Sequence, residues 1–242
     1  MNVTKSPIDV FLEQRLEEDK IKLGTSLNDS LQKEMACLDL IKQSIDHCKK
    51  NIGLIDKLSS KGSISAVHNL QIKKDAFRDN LKIWNMFGQI QMVSIELKKN
   101  IKNLTSVKDD WIKQSLLVTM SVSIYETSKK LIDETAKVIK ILISYGPESL
   151  LEEFKASRKK LTSFSEEHKQ ELIETRNTVG AHRDEDVSKQ ISKLEGLELS
   201  HIIQIALDYN KIILEIAEFQ NALSAVGFKR LEKAKVTNHN IL

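Results

Sequence analysis

The sequence predicts an all-α protein, an up-and-down helical bundle with a long antiparallel N-terminal helical hairpin. Only 8 glycines and 2 prolines occur in 242 residues, and a β-sandwich or barrel of this length would need far more turn residues. Leu, Ile, Lys and Glu dominate the composition, which favours helices. Apolar residues also recur at alternating spacings of three and four along much of the chain, and this is the period of a helix face.

Two helices are predicted in the first 59 residues. Ser6 can cap a helix that starts at Pro7 with Asp9 in its first turn, and we expect that helix to end at Gly24. The next helix is predicted over residues 26–59, where apolar side chains fall in two heptad registers. One register holds Leu31, Leu38, Ile45 and Ile52, and the other holds Leu27, Ile41, Cys48 and Ile55, with Glu34 as a polar exception.

The heptad seam of residues 27–55 has two interpretations. It could be a coiled-coil seam that joins two copies of the chain. It could also be one side of a long helix inside an intramolecular bundle, because bundle helices use the same packing geometry. The intramolecular interpretation is the favoured one.

A third and a fourth long helix follow. After a turn at residues 60–63, the third helix is predicted to reach about Asn103 and to pair with the second helix as an antiparallel hairpin. The fourth begins after a cap at Thr105 or Ser106 and ends at Gly146-Pro147. Its first half is apolar almost all round, which predicts a central helix.

The last hundred residues predict shorter helices before one long final helix. A helix is expected from Pro147 to about residue 160, and another after a cap at Ser163 or Ser165. The polar run 183–186 predicts a loop, and a long apolar-faced helix is expected over about 198–231. The predicted domains are an N-terminal hairpin domain at 1–104, a helical domain at 105–233 and a frayed polar tail at 234–242.

Charge and composition narrow the classes of function. The net charge of +3 gives no global field for nucleic acid, so RNA binding would need a local patch. We expect a cytoplasmic protein without membrane segments, because no secretion signal or apolar span is present and Cys37 and Cys48 lie too far apart on one helix to pair. Phosphate-binding glycine loops, zinc-ligand spacings and nucleophile elbows are missing from the sequence, so no cofactor and no metal are predicted.

The run Arg176–His182 is the chemically suggestive segment. On an unbroken helix its two end residues would be separated by about 600° of rotation and would point to different faces. They can converge only if the helix breaks, for which Gly180 is permissive, or if a second copy faces the first. An imidazole can accept and return a proton near neutral pH, and a guanidinium can grip a phosphate. The pair could therefore cleave RNA without a metal.

The segment around these residues resembles the signature of the HEPN superfamily, an Arg followed after four to six residues by His. Here five residues intervene, and Asn177 occupies the polar position directly after Arg176. The resemblance covers about residues 105–230 and implies an all-α bundle that forms a homodimer with a shared site. It implies metal-independent endoribonuclease activity in toxin–antitoxin, abortive-infection or anti-phage defence systems, with RNA as substrate and an antitoxin or defence protein as partner.

The resemblance also assigns roles to single residues. Arg176 and His182 would be the catalytic pair and Asn177 accessory, while Glu126 on the central helix would be a supporting acid. Related toxins carry a modified tyrosine two positions after the histidine, and this chain has Asp184 there. Two alternatives to the ribonuclease hypothesis remain: a non-catalytic helical scaffold that binds a partner through its N-terminal hairpin, and a nucleotide-sensing interaction protein with a degenerate HEPN fold.

Overall fold

The structure is a computed structural model that describes residues 7–60, 64–178 and 187–236. These residues form helices and connecting turns with no strand among them, which confirms the all-α helical bundle. The eight helices of the described ranges are α1 (Pro7–Ser59), α2 (Ile64–Ser106), α3 (Asp110–Tyr145), α4 (Glu148–Glu167), α5 (Lys169–Thr178), α6 (Val187–Glu195), α7 (Leu199–Ala217) and α8 (Gln220–Val236).

Helix α1 runs through Gly24, so the prediction of two separate N-terminal helices was wrong. A glycine inside a helix costs only about 1 kcal/mol relative to alanine, and Gly24 takes no positive φ here. The heptad side chains that begin at Leu27 pack against the core. This packing outweighs the local cost of one glycine, so α1 is unbroken over its whole length of 53 residues.

Helices α1 and α2 form the predicted long antiparallel hairpin. Near one end Lys102 donates to Asn28 at 2.6 Å, and near the other Lys74 forms an ion pair with Asp56. Within the seam, four apolar side chains are buried and the other apolar ones are half-buried. The four are Leu31, Ile41, Cys48 and Ile55. The seam thus packs inside one chain, as the favoured interpretation has it.

A buried polar layer replaces one apolar position of the hairpin. Glu34, the exception in the heptad pattern, accepts from the Lys98 ammonium at 2.5 Å and from the Ser94 hydroxyl at 2.8 Å. Lys98 also donates to Ser30 at 2.8 Å. Both contacts from α2 are made to Oε1 of the Glu34 carboxylate, whereas Oε2 is buried without a hydrogen-bond partner among the described residues.

Helix α3 is the central helix, as predicted, and contacts α2, α4, α5 and α7. Asp109 caps its N-terminus by accepting from the Ile112 amide at 3.0 Å, so the predicted caps at Thr105 and Ser106 were wrong. Those two residues belong to the last turn of α2, where they donate to the carbonyl of Lys102. An aspartate is as good a cap as a serine or threonine and lies closer to the first helical residue.

Helix α4 continues through Ser163 and Ser165, which were predicted to cap a new helix. Its buried positions follow a regular spacing of three and four, so the apolar face is uninterrupted to the end of the helix. Those positions are Phe154, Ser157, Leu161 and Phe164. The helix ends at His168, whose ring packs on Phe164 with ring centroids 4.6 Å apart.

The predicted final helix is two helices, α7 and α8, which separate at residues 218–219. Phe219 packs edge-on against Phe154 with ring centroids 5.5 Å apart. The change of direction lets α7 pack on α3 and α4 while α8 packs on α2. The α8–α2 contact is close at Gly227, where an added Cβ would lie 1.8 Å from the Oδ1 atom of Asn80.

One buried core joins the helices of the described ranges, from Ile41 on α1 to Val226 on α8. The predicted domain boundary at residue 104 lies near the end of α2, and the core continues across it. Cys37 and Cys48 are both free thiols, and burial raises the pKa of Cys48 to about 11. Within the described ranges, each helix is too short or too polar to cross a lipid bilayer.

Candidate functional site

Helix α5 places Arg176 at the junction with the central helix. Leu172 and Thr175 are buried on the face of α5 that packs toward α3. The Thr175 hydroxyl donates to the carbonyl of Glu171 at 3.0 Å, so its burial leaves no polar group without a partner. Arg176 follows directly and lies at the edge of this packed face, with 23% of its side chain exposed.

Arg176 forms an ion pair with Glu126 of α3, through Nε and Oε1. Its Nη1 also donates to Oδ1 of Asn177 at 3.2 Å. The structure thus brings together three residues that the HEPN resemblance names. Glu126 is half exposed, so this pair faces solvent and adds little to folding stability.

The geometry leaves part of the guanidinium available. An arginine side chain carries five N–H donors, and the contacts to Glu126 and Asn177 use one on Nε and one on Nη1. Within the described residues, one donor on Nη1 and both donors on Nη2 are unused. This outer edge can hold an anion such as a phosphate in a two-pronged geometry.

Two further side chains were not predicted as site residues: Tyr125, whose ring Arg176 contacts, and Lys129, which contacts the same ring. The guanidinium carbon lies 5.6 Å from the ring centroid of Tyr125, and the ammonium of Lys129 lies 5.2 Å from the same centroid. These distances are those of cation–π contacts. Tyr125 and Lys129 are one helical turn apart on α3 and beside Glu126, a spacing that is common on helices and did not mark them in the sequence.

His182 and Gly180 lie outside the described residues. The description of α5 ends at Thr178, and that of α6 begins at Val187. The convergence of Arg176 with His182 therefore stays a prediction, as does the break at Gly180. Asp184 lies outside the described residues as well.

The opposite side of α5 carries a second set of polar contacts. Glu171 lies 3.0 Å from Nε2 of His201 at the start of α7, and Glu174 lies 3.5 Å from the Lys193 ammonium of α6. A hydrogen bond from Gln170, followed by the charge of Lys193, lowers the pKa of Glu174. These contacts join the exposed side of α5 to the two helices that follow it in sequence.

Helix α6 was not predicted and forms an apolar cleft with the start of α3. The cleft has a volume of about 490 Å³. Trp111 and Ile112 are 64% and 48% exposed, so the first turn of α3 is not buried as its apolar sequence predicted. The side chains that line the cleft are Trp111, Ser115, Val118, Val187, Gln190, Ile191 and Leu194.

Comparisons with models of protein families, with curated proteins and with solved structures find no match for this chain. The structure is an all-α bundle in which Arg176, Glu126, Asn177, Tyr125 and Lys129 lie at a corner between α3 and α5. Among the residues of the described ranges, no cluster of His, Cys, Asp or Glu has the arrangement of a metal site. The HEPN resemblance therefore stays a prediction from the sequence.

Proposed function

We propose that this protein is an HEPN-type, metal-independent endoribonuclease of the cytoplasm that cleaves RNA at a site formed across a homodimer. The observation that carries the proposal is the set of contacts of Arg176: Glu126 and Asn177 hold it, and no other residue of the described ranges uses its outer N–H groups. A guanidinium held in this way can bind the scissile phosphodiester without reorganising, which is how preorganised groups stabilise developing charge.

The chemical step needs a proton acceptor and a proton donor beside that phosphate. In the proposed site, His182 accepts the proton of the ribose 2′-hydroxyl, and the 2′-oxygen attacks the phosphorus. The bond to the 5′-oxygen breaks, and this oxygen takes a proton from an imidazolium, supplied by the second copy of His182 in the dimer. The products are a 2′,3′-cyclic phosphate and a 5′-hydroxyl, and Arg176 stabilises the charge that builds on the phosphate oxygens.

The test is RNA cleavage by the purified protein in EDTA. The wild type should cut single-stranded or transfer RNA, and Arg176→Ala and His182→Ala should each abolish the cut. His201→Ala is the matched control, because His201 is an exposed histidine that contacts the opposite side of α5. The proposal is refuted if the wild type cleaves nothing in a broad panel of RNAs. It is also refuted if both site variants cleave RNA at the wild-type rate.

In a cell, such an enzyme would be a toxin or an anti-phage defence component controlled by a partner protein. Uncontrolled RNA cleavage stops growth, so expression of the wild type alone should be toxic and expression of Arg176→Ala should not. A genomic neighbour that suppresses this toxicity would be the antitoxin.

The alternative proposal is a non-catalytic helical scaffold or nucleotide-sensing interaction protein. The observation that favours it is the exposed apolar surface of Trp111, Val187 and Ile191 beside the cleft, since exposed apolar patches mark interaction sites. Leu38 and Ile45 are half-buried in the hairpin seam, so charges there would disturb the fold and not only assembly. Trp111→Glu is the better test: for a scaffold it should abolish assembly, while His182→Ala should change nothing.

A further inference from the structure

The ring of Tyr125 is approached by two positive groups from different helices. The ammonium of Lys129 lies 5.2 Å from the ring centroid, and the guanidinium carbon of Arg176 lies 5.6 Å from it. The electron-rich face of an aromatic ring attracts cations. Tyr125 is therefore a shared contact of two positive groups, one from α3 and one from α5.

Only one of these two cations has an acidic partner in the described part of the chain. Arg176 pairs with Glu126, whereas Lys129 is exposed and pairs with no acid among the described residues. Tyr125 itself is half-buried and packs against the core, so it is a fixed support. The corner thus combines an arginine with unused donors and an unpaired lysine over one anchored ring, and this combination suits a ligand with more than one negative charge.

We propose that Lys129 binds a second phosphate of the RNA strand whose scissile phosphate Arg176 holds, and that Tyr125 is the positioning residue for both cations. The proposal rests on the proposed ribonuclease function and names its substrate class as single-stranded RNA. A single strand carries a phosphate at each nucleotide, so two cations held by one ring meet neighbouring phosphates of the same strand. Neither contact requires the 2′-hydroxyl.

Binding is measured first, with a short fluorescein-labelled single-stranded oligodeoxynucleotide that cannot be cleaved through a 2′-hydroxyl. The association constant is recorded by fluorescence anisotropy over a series of salt concentrations. Loss of one phosphate contact lowers the slope of log K against log salt by about 0.7 for a single strand. Lys129→Gln should show this decrease. Lys137→Gln is the control, because it removes the same charge from the same helix but its ammonium already pairs with Glu134 at 2.7 Å.

The role of the ring is measured with two substitutions of Tyr125. Tyr125→Phe keeps the aromatic face and should bind like the wild type. Tyr125→Leu keeps an apolar side chain but removes the attraction for both cations, so it should weaken binding roughly tenfold, the size of a desolvated cation–π contact. Circular dichroism and the thermal midpoint of both variants show whether the helices stay folded.

Cleavage kinetics separate this inference from the proposed function. With RNA in EDTA, Lys129→Gln should raise KM about tenfold with little change in kcat, because Lys129 contacts a phosphate that does not react. The inference is overturned if the wild type does not bind the oligodeoxynucleotide, or if Lys129→Gln keeps the wild-type salt slope. If the wild type cleaves no RNA but binds the oligodeoxynucleotide with the predicted salt slopes, the ribonuclease proposal is refuted. Binding of two phosphates by Arg176 and Lys129 is then still supported.

Discussion

Two carboxylate–cation pairs, one in the hairpin and one at the Arg176 corner, show how the same chemistry serves different ends. Glu34 and Lys98 have only 11% and 13% of their side chains exposed, while Glu126 and Arg176 have 49% and 23%. In the hairpin, each member of the pair has one further hydroxyl contact, Glu34 with Ser94 and Lys98 with Ser30. At the corner, the arginine keeps donors that no described residue uses. A buried pair specifies how helices align, and an exposed pair can hold a side chain ready for a ligand.

The largest expected effect is on the buried pair. Lys98→Met should lower the free energy of unfolding by about 3 kcal/mol, because it leaves the Glu34 carboxylate buried without its cation. Urea denaturation followed by circular dichroism measures the change. The double variant Glu34→Leu with Lys98→Met should regain most of the loss, since an apolar pair of similar volume needs no compensation. A loss in the single variant that the double variant does not reduce would contradict a role for the uncompensated charge.

The second effect concerns the contact that joins α8 to the hairpin. Gly227→Ala should destabilise the protein by about 2 kcal/mol, because its Cβ would overlap the buried Asn80 amide, which must turn away and lose its hydrogen bond to the Ala76 carbonyl. The matched control is Gly53→Ala in α1, where an added Cβ meets no atom within 4 Å. That control should raise stability by about 0.5–1 kcal/mol through helix propensity. Equal thermal midpoints for the two variants would show that the α8–α2 contact tolerates a side chain.

The hairpin was more predictable than the rest of the fold because its signal is long and regular. Apolar residues repeat every seven positions from Leu27 to Ile55, with Glu34 as the exception, and the structure buries Ile41, Cys48 and Ile55 and half-buries Leu27. In this part of the chain, the wrong predictions concern helix ends, where a single residue decides whether a helix starts or stops. Gly24 was expected to end a helix that tertiary packing continues, and Asp109 replaced the expected caps because capping geometry depends on where the backbone turns.

No proline lies at the turn between α7 and α8, which contains Glu218 and Phe219. The contact found at this turn is made by Phe219 with a residue that is distant in the sequence. Phe219 packs on Phe154, and no local pattern reveals this contact. Helix α6 did have a signal in Val187, Ile191 and Leu194, whose spacing of four and three marks an apolar face. Helix α6 was not predicted because the polar run 183–186 directly before it favoured a loop over the whole segment.

The candidate site was predictable only as a set of residue types. The sequence placed Arg176 and Asn177 together, but the contact of Arg176 with Glu126 depends on how α5 packs on α3 across fifty positions of sequence. Tyr125 and Lys129 were missed because a tyrosine and a lysine one turn apart are ordinary on a helix. Their meaning comes from the arginine that a different helix brings to the same ring.

The smallest expected effect on stability separates the two pairs most sharply. Glu126→Ala should change the free energy of unfolding by less than about 1 kcal/mol, because an exposed ion pair contributes little. It should nevertheless lower RNA cleavage by on the order of 10- to 100-fold, since a displaced catalytic group costs rate without costing stability. Glu152→Ala is the control, because it removes an exposed acid that pairs with Lys155 at 2.7 Å, and it should leave both quantities unchanged. If Glu126→Ala cleaves RNA at the wild-type rate, Glu126 does not position Arg176 and the two form only a surface ion pair. If Glu126→Ala instead loses as much unfolding free energy as Lys98→Met, the corner is a structural element and the contrast between the two pairs is wrong.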